Sequence, residues 1–116
     1  MTSEELLAVL AAFGHVQRLR IITELAASRM YVSELARRLE MSRPLLYMHL
    51  ERLEKAGIVV GTLELSADGK ALRYFELAPF DLRLNVETIS AALRADETDP
   101  DGRAPASEGG QRRVSG

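Results

Sequence analysis

Cysteine is absent from the sequence, which excludes disulfides, thiolate metal sites and cysteine nucleophiles together. No apolar run approaches the roughly 18 residues that a membrane-spanning helix needs, and the N-terminus lacks the basic and then apolar layout of a signal peptide. We therefore expect a cytoplasmic protein. The two histidines, His15 and His49, lie far apart in the chain, and no glycine-rich phosphate loop is present. Because these residues form no catalytic constellation, we expect a protein that is not an enzyme.

An excess of positive charge is also missing, because the formal net charge is −2. The charge is uneven, however: residues 15–80 hold ten Lys and Arg against eight Asp and Glu, whereas both flanks are net acidic. The middle of the chain is therefore the section suited, though only mildly, to a polyanion. With 116 residues, of which 47% are hydrophobic, the chain is long enough for one domain with a modest core.

Apolar residues at helical spacing predict three helices in the first third of the chain. The first covers residues 3–13, with Ser3 as its N-cap and glutamates in the first turn. The second covers residues 15–27. The third covers residues 32–39, and Ser33 at its start, followed by Glu34, is expected to cap it. The residues of the second helix that we expect to face inward are Leu19, Ile22, Leu25 and Ala26.

A helix-turn-helix is predicted between Leu39 and Gly57. Only three residues separate the third helix from the next one, and the last of them, Ser42, is a good N-cap. Pro44 lies in the first turn, where its missing N–H does no harm, and a glycine follows the last turn. Two helices joined by so short a turn are typical of a helix-turn-helix. The inward stripe of the second of these helices is Leu46, Leu50 and Leu53.

A β-hairpin is predicted after this motif, because the hydrophobic period changes from 3.6 to 2. Residues 58–65 and 71–77 are rich in β-branched or aromatic residues and flank a five-residue loop, in which Gly69 is free to take a positive φ. The predicted fold class is mainly α with a β-hairpin wing. Its elements follow the order α-α-α-α-β-β-α of a winged helix-turn-helix.

A last helix over residues 81–94 is predicted by a further set of apolar residues at helical spacing after Pro79. Beyond Ala95 the composition changes, and Val114 is the only large apolar residue that remains. We therefore predict a winged helix-turn-helix domain for DNA binding and dimerisation at residues 1–94 and a disordered tail at residues 95–116.

The helix that begins at Arg43 carries side chains that a core does not require. A helix fits the major groove of DNA, and its N-terminal residues reach the base edges. The guanidinium fork of Arg43 matches O6 and N7 of guanine, whereas Leu45 and Met48 offer apolar surface to a thymine methyl group. The hydroxyl of Tyr47 is placed to reach a base or a phosphate. These residues predict base contacts.

Phosphate contacts are predicted around the same helix. Ser42, the helix N-terminus and Arg52 would hold phosphates of the backbone. On the hairpin, Lys70 and Arg73 flank a tip that would lie along the minor groove. The full predicted DNA-contact set is Ser33, Ser42, Arg43, Pro44, Leu45, Tyr47, Met48, Arg52, Lys70 and Arg73.

Two alternatives stay open for these residues. The arginines also fit a solvated face, because Glu51 and Glu54 lie nearby to pair with them. A face exposed only to water is a poor explanation for the apolar or aromatic side chains of Leu45, Tyr47 and Met48. A surface that binds a protein partner explains them as well as a surface that binds DNA does. The alternative function is therefore a winged helix that mediates protein–protein interaction and does not bind DNA.

Three segments of the chain carry a more particular pattern than the order of the elements. They are RLRIITEL (18–25), VSELARRLEMSRPLLYMHLERLEKAGIV (32–59) and GKALRYFEL (69–77). Taken in order, they resemble the ArsR-type family of dimeric bacterial repressors, and the resemblance runs from about Phe13 to Leu77. It implies a transcription factor that acts as a repressor and binds an inverted-repeat operator in double-stranded DNA as a homodimer.

The metal sites of that family are not matched. Where metal-binding members carry a Cys-x-Cys pair at the third helix, this chain has Tyr31 and Ser33. Where others carry Asp and His on the last helix, this chain has Asp81 and Glu87 but no histidine after His49. His49 adjoins the apolar stripe of its helix and is better explained as a packed structural residue. We therefore expect no metal cofactor.

The resemblance implies that the first and last helices form the interface of a homodimer. A domain of this size has a limited interior, which cannot bury the apolar faces of the first and last helices completely. Burial of the remaining apolar surface against a second copy also favours dimerisation. Whether an effector exists, as a small molecule or a protein, the sequence leaves open. The predicted interface residues are Leu6, Leu7, Leu10, Phe13, Leu82, Val86, Ile89 and Leu93.

Overall fold

A computed structural model describes residues 1–98 of the chain, and within them five helices and three strands follow one another. The order confirms the predicted winged helix-turn-helix, with one short strand added before the third helix. The elements are α1 (Ser3–Phe13), α2 (Val16–Ala27), β1 (Met30–Tyr31), α3 (Val32–Leu39), α4 (Arg43–Lys55), β2 (Val59–Leu65), β3 (Ala71–Leu77) and α5 (Val86–Glu97).

The described residues form two compact units, and each unit has most of its contacts within itself. The central unit is Ala8–Asp81, and the terminal unit consists of Met1–Leu7 together with residues 82–98. In the terminal unit, Ser3 donates to the Asp96 carboxylate from its backbone N (2.9 Å) and its Oγ (2.5 Å). Ser3 is therefore not the N-cap that the sequence predicted. Thr2 caps α1 instead, by exchanging hydrogen bonds with Glu5 in a reciprocal capping arrangement.

The core of the central unit is built mainly on α2, α3, α4 and the base of the hairpin. The predicted inward face of α2 is only partly right, because Leu19 is 47% exposed whereas Ile21 is fully buried. The stripe that α2 buries runs through Arg18, Ile21 and Leu25. Because an arginine occupies one of these inward positions, the spacing of apolar residues alone does not reveal the buried stripe. The largest fully buried side chains are Phe75, Ile21, Leu35, Leu46, Leu50, Leu53 and His49.

α1 and α2 meet at a sharp corner. The N–H of Gly14 donates to the carbonyl of Ala11, and the Nδ1 atom of His15 caps α2 by accepting from the N–H of Gln17 at 3.1 Å. Over residues 1–98 no single helix is long and apolar enough to cross a membrane, and α1 and α2 satisfy that criterion only as a pair bent by 84°. The corner directs the side chain of Arg18 back to the last turn of α1.

The sheet has three antiparallel strands in the order β1-β3-β2, so β3 is the central strand. The sequence did not predict β1, which is two residues long and leads directly into α3. Its register pairs Met30 with Phe75 and Tyr31 with Tyr74, and the two tyrosine rings meet edge to face at 5.0 Å. This strand anchors the start of α3 to the hairpin.

The predicted helix-turn-helix is present, with α3 and α4 joined at Glu40, Met41 and Ser42. Glu40 adopts the left-handed conformation with φ 53°, and its N–H points to the carbonyls at the end of α3. The Oγ of Ser42 accepts from the N–H of Leu45 and caps α4, as predicted. Ser33, in contrast, does not cap α3, because the helix starts one residue earlier.

The last helix begins and ends later than the sequence predicted. It begins at Val86, because Asn85 and Thr88 form a reciprocal capping box with hydrogen bonds of 2.9 and 3.0 Å. It ends at Glu97 instead of Arg94, so the predicted tail boundary at residue 95 falls inside the helix. The rest of the predicted tail, residues 99–116, lies outside the described residues.

Gly61 on β2 lies where a side chain has no room. A Cβ there would be 2.7 Å from Cε1 of Phe75 and 2.9 Å from Oε2 of Glu54. The carboxylate can move, but the phenyl ring is buried in the core. We therefore expect Gly61→Ala to lower the free energy of unfolding by about 1–2 kcal/mol through overpacking.

Urea denaturation followed by circular dichroism measures this loss. Gly14→Ala is the matched control, because its nearest neighbours would be two carbonyl oxygens at an ordinary 3.4 Å. A loss for Gly61→Ala no larger than that of the control would contradict the steric argument.

Candidate nucleic-acid interface

α4 has one buried face and one exposed face, and most of the predicted DNA contacts lie on the exposed one. Leu46, His49, Leu50 and Leu53 point into the core and fix the helix in the central unit. The N-cap Ser42 and the first residues after it are open to solvent. The positive end of the helix dipole is therefore presented outward, where an anion such as a phosphate is stabilised.

The start of α4 combines a cation with exposed apolar side chains. Leu45 is 40% exposed and Met48 is 45% exposed, although both are large hydrophobic residues. Arg43 and Pro44 are exposed beside them. Among the ion pairs found in residues 1–98, none involves Arg43. The arrangement therefore offers an unpaired guanidinium and apolar surface together, as a base-reading helix requires.

Tyr47 lies on the side of α4 that faces the hairpin, close to Arg73 of β3. Tyr47 is half-buried and packs against the core, so less of its ring is available than the sequence suggested. The Arg73 guanidinium lies 5.7 Å from the Tyr47 ring centroid and 5.0 Å from that of Phe75. Its Nη2 also lies 3.8 Å from Oε1 of Glu54. Arg73 therefore connects the wing to α4, and part of its charge is already compensated.

The wing tip is a tight loop from Ser66 to Lys70, as predicted, with Gly69 at φ 85°. The Ser66 hydroxyl donates to the Asp68 carboxylate, and the Lys70 N–H lies close to the same carboxylate. These hydrogen bonds, that from Ser66 above all, lower the pKa of Asp68. The tip therefore carries a carboxylate two residues from Lys70, which weakens it as a phosphate-binding element.

The strand β2 adds apolar surface to this wing. Leu63 is 68% exposed and Leu65 is 76% exposed. Over residues 58–77, two cations stand against three carboxylates, so the wing has a formal charge of −1. It is therefore a mildly acidic, leucine-bearing wing and not a basic one.

Two predicted DNA contacts lie away from the exposed start of α4. Ser33 is half-buried in the first turn of α3. Arg52 lies on the side of α4 that faces α1, where it lines a groove of about 480 Å³. The structure thus brings together the residues at the start of α4 but separates these two from them. The groove is lined by Ala8, Ala11, Ala12, Glu51, Arg52 and Lys55.

A buried polar cluster beneath α4 was not predicted from the sequence. Arg18 is only 8% exposed and His49 only 1%. Arg18 donates through Nε to the carbonyl of Ala12 (3.0 Å), through Nη2 to that of Ala11 (3.1 Å) and through Nη1 to Nδ1 of His49 (2.9 Å). The His15 ring lies 4.7 Å from the His49 ring. The sequence signal for the burial of Arg18 is its helical spacing from Ile21 and Leu25, the two buried apolar residues of α2.

Burial is the main reason why the pKa of His49 is lowered from its ordinary value. The positive charges of His15, Arg18 and Arg52 lower it further. The sequence had favoured a packed structural role for His49 over a metal ligand, and its burial agrees with that role. The observed partners of Arg18 are two backbone carbonyls and the imidazole of His49.

The predicted dimer residues differ widely in exposure. In the central unit, Leu10 and Phe13 are half-buried, and Phe13 packs against Phe80 with ring centroids 5.6 Å apart. In the terminal unit, Leu6 is 7% exposed and Leu82 precedes α5. The other four have a large exposed surface, and three of them repeat at helical spacing along α5. They are Leu7 (64%), Val86 (72%), Ile89 (42%) and Leu93 (55%).

Solved structures include chains with a similar fold. A homodimeric winged helix-turn-helix DNA-binding domain from Mycobacterium bovis, described as a possible ArsR-family transcriptional regulator, matches with a TM-score of 0.59 and 18% identity over 90% of this chain and 86% of that one. HlyU from Vibrio cholerae matches with a TM-score of 0.53 and 24% identity over 83% of this chain and 91% of that one. At these identities the likeness shows the winged helix-turn-helix fold.

Sequence comparison extends the likeness to a family. Residues 15–60 match the family described as bacterial regulatory protein, arsR family. An HTH-type transcriptional regulator of Methanocaldococcus jannaschii is 35% identical over 78 residues, which are 67% of this chain and 81% of that protein. The matched segment includes α2, α3 and α4, and with them the exposed start of α4. The chain belongs to the arsR family of bacterial regulatory proteins, which are transcriptional regulators with a winged helix-turn-helix.

Proposed function

We propose that the protein is a homodimeric transcriptional repressor that binds an inverted-repeat operator in double-stranded DNA without a metal cofactor. The observation that carries the proposal is the exposed start of α4. There a helix N-terminus, the exposed Leu45 and Met48, and an Arg43 that forms no ion pair within residues 1–98 occur together on a helix whose other face is anchored in the core. A solvated face would not need the two apolar residues.

We assign the contacts by chemistry. Arg43 would read guanine through O6 and N7, and Leu45 and Met48 would contact thymine methyl groups. Ser42 and the helix N-terminus would hold a phosphate. The remaining members of the predicted set are assigned to supporting contacts. Pro44 is exposed at the start of α4 but has no hydrogen-bonding group in its side chain, and the other members are half-buried, already paired or distant from the start of α4. The members assigned to supporting contacts are Ser33, Pro44, Tyr47, Arg52, Lys70 and Arg73.

The homodimer is supported by two observations. The face of α5 that carries Val86, Ile89 and Leu93 is apolar and exposed, so a second copy would remove a continuous apolar stripe from water. The Mycobacterium bovis domain with the same fold is described as homodimeric. A dimer also doubles the number of cations that neutralise phosphates, which a chain with a weak positive patch needs.

The absence of a metal cofactor is proposed from the chain's own residues. The sequence has no cysteine, and over residues 1–98 no group of three or more His, Asp and Glu is placed to hold a metal ion. Equilibrium binding with and without a strong chelator tests this point, and we expect an unchanged affinity for DNA.

Fluorescence anisotropy with DNA from upstream of the protein's own gene tests the main proposal. We expect sequence-dependent binding of two chains per site and an affinity that falls steeply as salt is raised, because phosphate contacts release counterions. A scrambled duplex is the control. If genome-wide selection of bound fragments also returns no preferred sequence, the protein is not a sequence-specific regulator.

A protein-interaction module is the second candidate, and the wing favours it. Leu63 and Leu65 are exposed on a wing of net negative charge, which suits an apolar partner better than a phosphate backbone. Salt separates the two candidates, because an apolar contact is hardly weakened by ionic strength whereas DNA binding is.

A further inference from the structure

Arg18 forms a buried bridge between the last turn of α1 and the middle of α4. A buried guanidinium is costly unless its donors are used, and here Nε, Nη1 and Nη2 each have an acceptor. Two acceptors are the carbonyls of Ala12 and Ala11 in the last turn of α1, where the helix supplies no further N–H four residues on. The carbonyl of Ala11 also accepts from the N–H of Gly14. The third acceptor is Nδ1 of His49. The bridge therefore joins two helices through one side chain.

The chemistry of the bridge defines the protonation state of His49. An arginine side chain only donates hydrogen bonds, so Nδ1 of His49 must accept through a free lone pair. The ring is then neutral and carries its proton on Nε2. Because His49 belongs to α4, this acceptor helps to position the helix whose start we assign to base reading.

A second proton on His49 is incompatible with the bridge. It would place an N–H against the guanidinium of Arg18, and it would create a buried positive charge that also faces His15 and Arg52. Among the groups of residues 1–98 that shift the pKa of His49, none is a carboxylate that would compensate this charge. Protonation must therefore break the hydrogen bond or expel the ring.

The direction of the pH effect follows from the lowered pKa of His49. Between its folded value and the ordinary value of about 6.5, the unfolded chain binds more protons than the folded one. The stabilisation is therefore complete above about pH 6.5 and is lost as the pH falls towards the folded pKa.

We propose that Arg18 and His49 are positioning residues that hold α4 in its DNA-binding position, and that protonation of His49 releases operator DNA at mildly acidic pH. The inference rests on the proposed function. It has the opposite sign to the usual effect of acid, since added positive charge on a protein ordinarily strengthens its attraction to the DNA phosphates. The sign of the pH dependence thus separates the bridge from general electrostatics.

The test measures operator affinity between about pH 7.5 and 4.5 at constant ionic strength, with circular dichroism at each pH to confirm that the protein is folded. We expect the dissociation constant of the wild type to rise as the pH falls towards the lowered pKa of His49, with a slope no steeper than the one-proton limit of about tenfold per pH unit. His49→Asn retains an acceptor near the position of Nδ1 but cannot be protonated at these pH values. We therefore expect the dissociation constant of His49→Asn not to rise in this way as the pH falls.

His15→Asn is the matched control. Asparagine keeps the N-cap of α2, so this variant loses the other histidine but leaves the bridge intact, and we expect its affinity to keep the slope. Arg18→Met removes the donors, and we expect weaker operator binding even at about pH 7.5, where His49 is neutral. A wild-type affinity that is constant or rises on acidification would overturn the proposal, as would an unchanged slope in His49→Asn.

A nitrogen NMR spectrum of the histidine rings in the wild-type protein tests the bridge without DNA. The expected signals for His49 at about pH 7 are those of a neutral ring with its proton on Nε2. A ring that is protonated at that pH, or that carries its proton on Nδ1, contradicts the bridge even if His49→Asn does not fold. If the ring is as expected and no DNA is bound at about pH 7.5, the proposed function fails instead.

Discussion

Phe75→Ala is expected to destabilise the protein by about 3–5 kcal/mol, the range for truncating a buried phenylalanine. Phe75 is fully buried and lies on β3, the central strand of the sheet. In the register it pairs with Met30 on one side and Gly61 on the other. Its ring therefore fills the space between the sheet and the helices, and Gly61 on the neighbouring strand β2 has no side chain that could fill the cavity.

Equilibrium unfolding in urea measures the effect, and Phe80→Ala is the matched control. Phe80 is 41% exposed and packs mainly on the Phe13 ring, so its truncation removes less buried surface and should cost about 1–2 kcal/mol. If Phe75→Ala is too unstable to measure, Phe75→Leu retains much of the volume and still reports the trend. Equal losses for the two alanine variants would show that Phe75 is not the centre of the core.

Arg43→Ala is expected to reduce affinity for the operator by about 1–3 kcal/mol, which is roughly 5- to 150-fold. Arg43 is the first residue of α4, is exposed and takes part in none of the ion pairs of residues 1–98. Its removal should therefore leave the stability of the fold almost unchanged. The loss on a scrambled duplex should be smaller, because a base contact carries sequence information and a phosphate contact does not.

Two further variants separate the roles of charge and geometry. Arg43→Lys keeps the charge but removes the planar fork, so we expect only partial recovery of operator affinity. Arg94→Ala removes the same charge from α5 and controls for net charge. Full recovery with lysine, or equal losses on both DNAs, would reassign Arg43 to a phosphate contact.

Local signals explain the parts of the fold that the sequence predicted well. The end of α3, the cap at Ser42 and the glycine at residue 57 agree with the structure. The hairpin, predicted at 58–65 and 71–77, differs by one residue at its start. Each of these features depends on neighbouring residues, because caps, turns and hydrophobic periods act over a few positions.

The last helix shows that a local signal can also be misread. Leu82 and Val86 have helical spacing, which favoured a start soon after Pro79. The Asn85–Thr88 capping box, which was present in the sequence, places the start at Val86. The strand β1 is different, because two residues carry too little pattern to predict a strand. It exists because β3, more than forty residues later, offers an edge for Met30 and Tyr31.

For the candidate site, the sequence by itself determined which residues stand at the start of α4, because their cap, their spacing and their chemistry all lie within one helix. Only the tertiary structure decided which of the predicted contacts remain available: Arg73 is paired with Glu54, and Arg52 lies toward α1. It also decided the inward face of α2. A sequence pattern assigns arginine to the surface, since a buried charge is costly. Arg18 is buried because the folded chain supplies three acceptors from two other helices, and no local pattern contains that information.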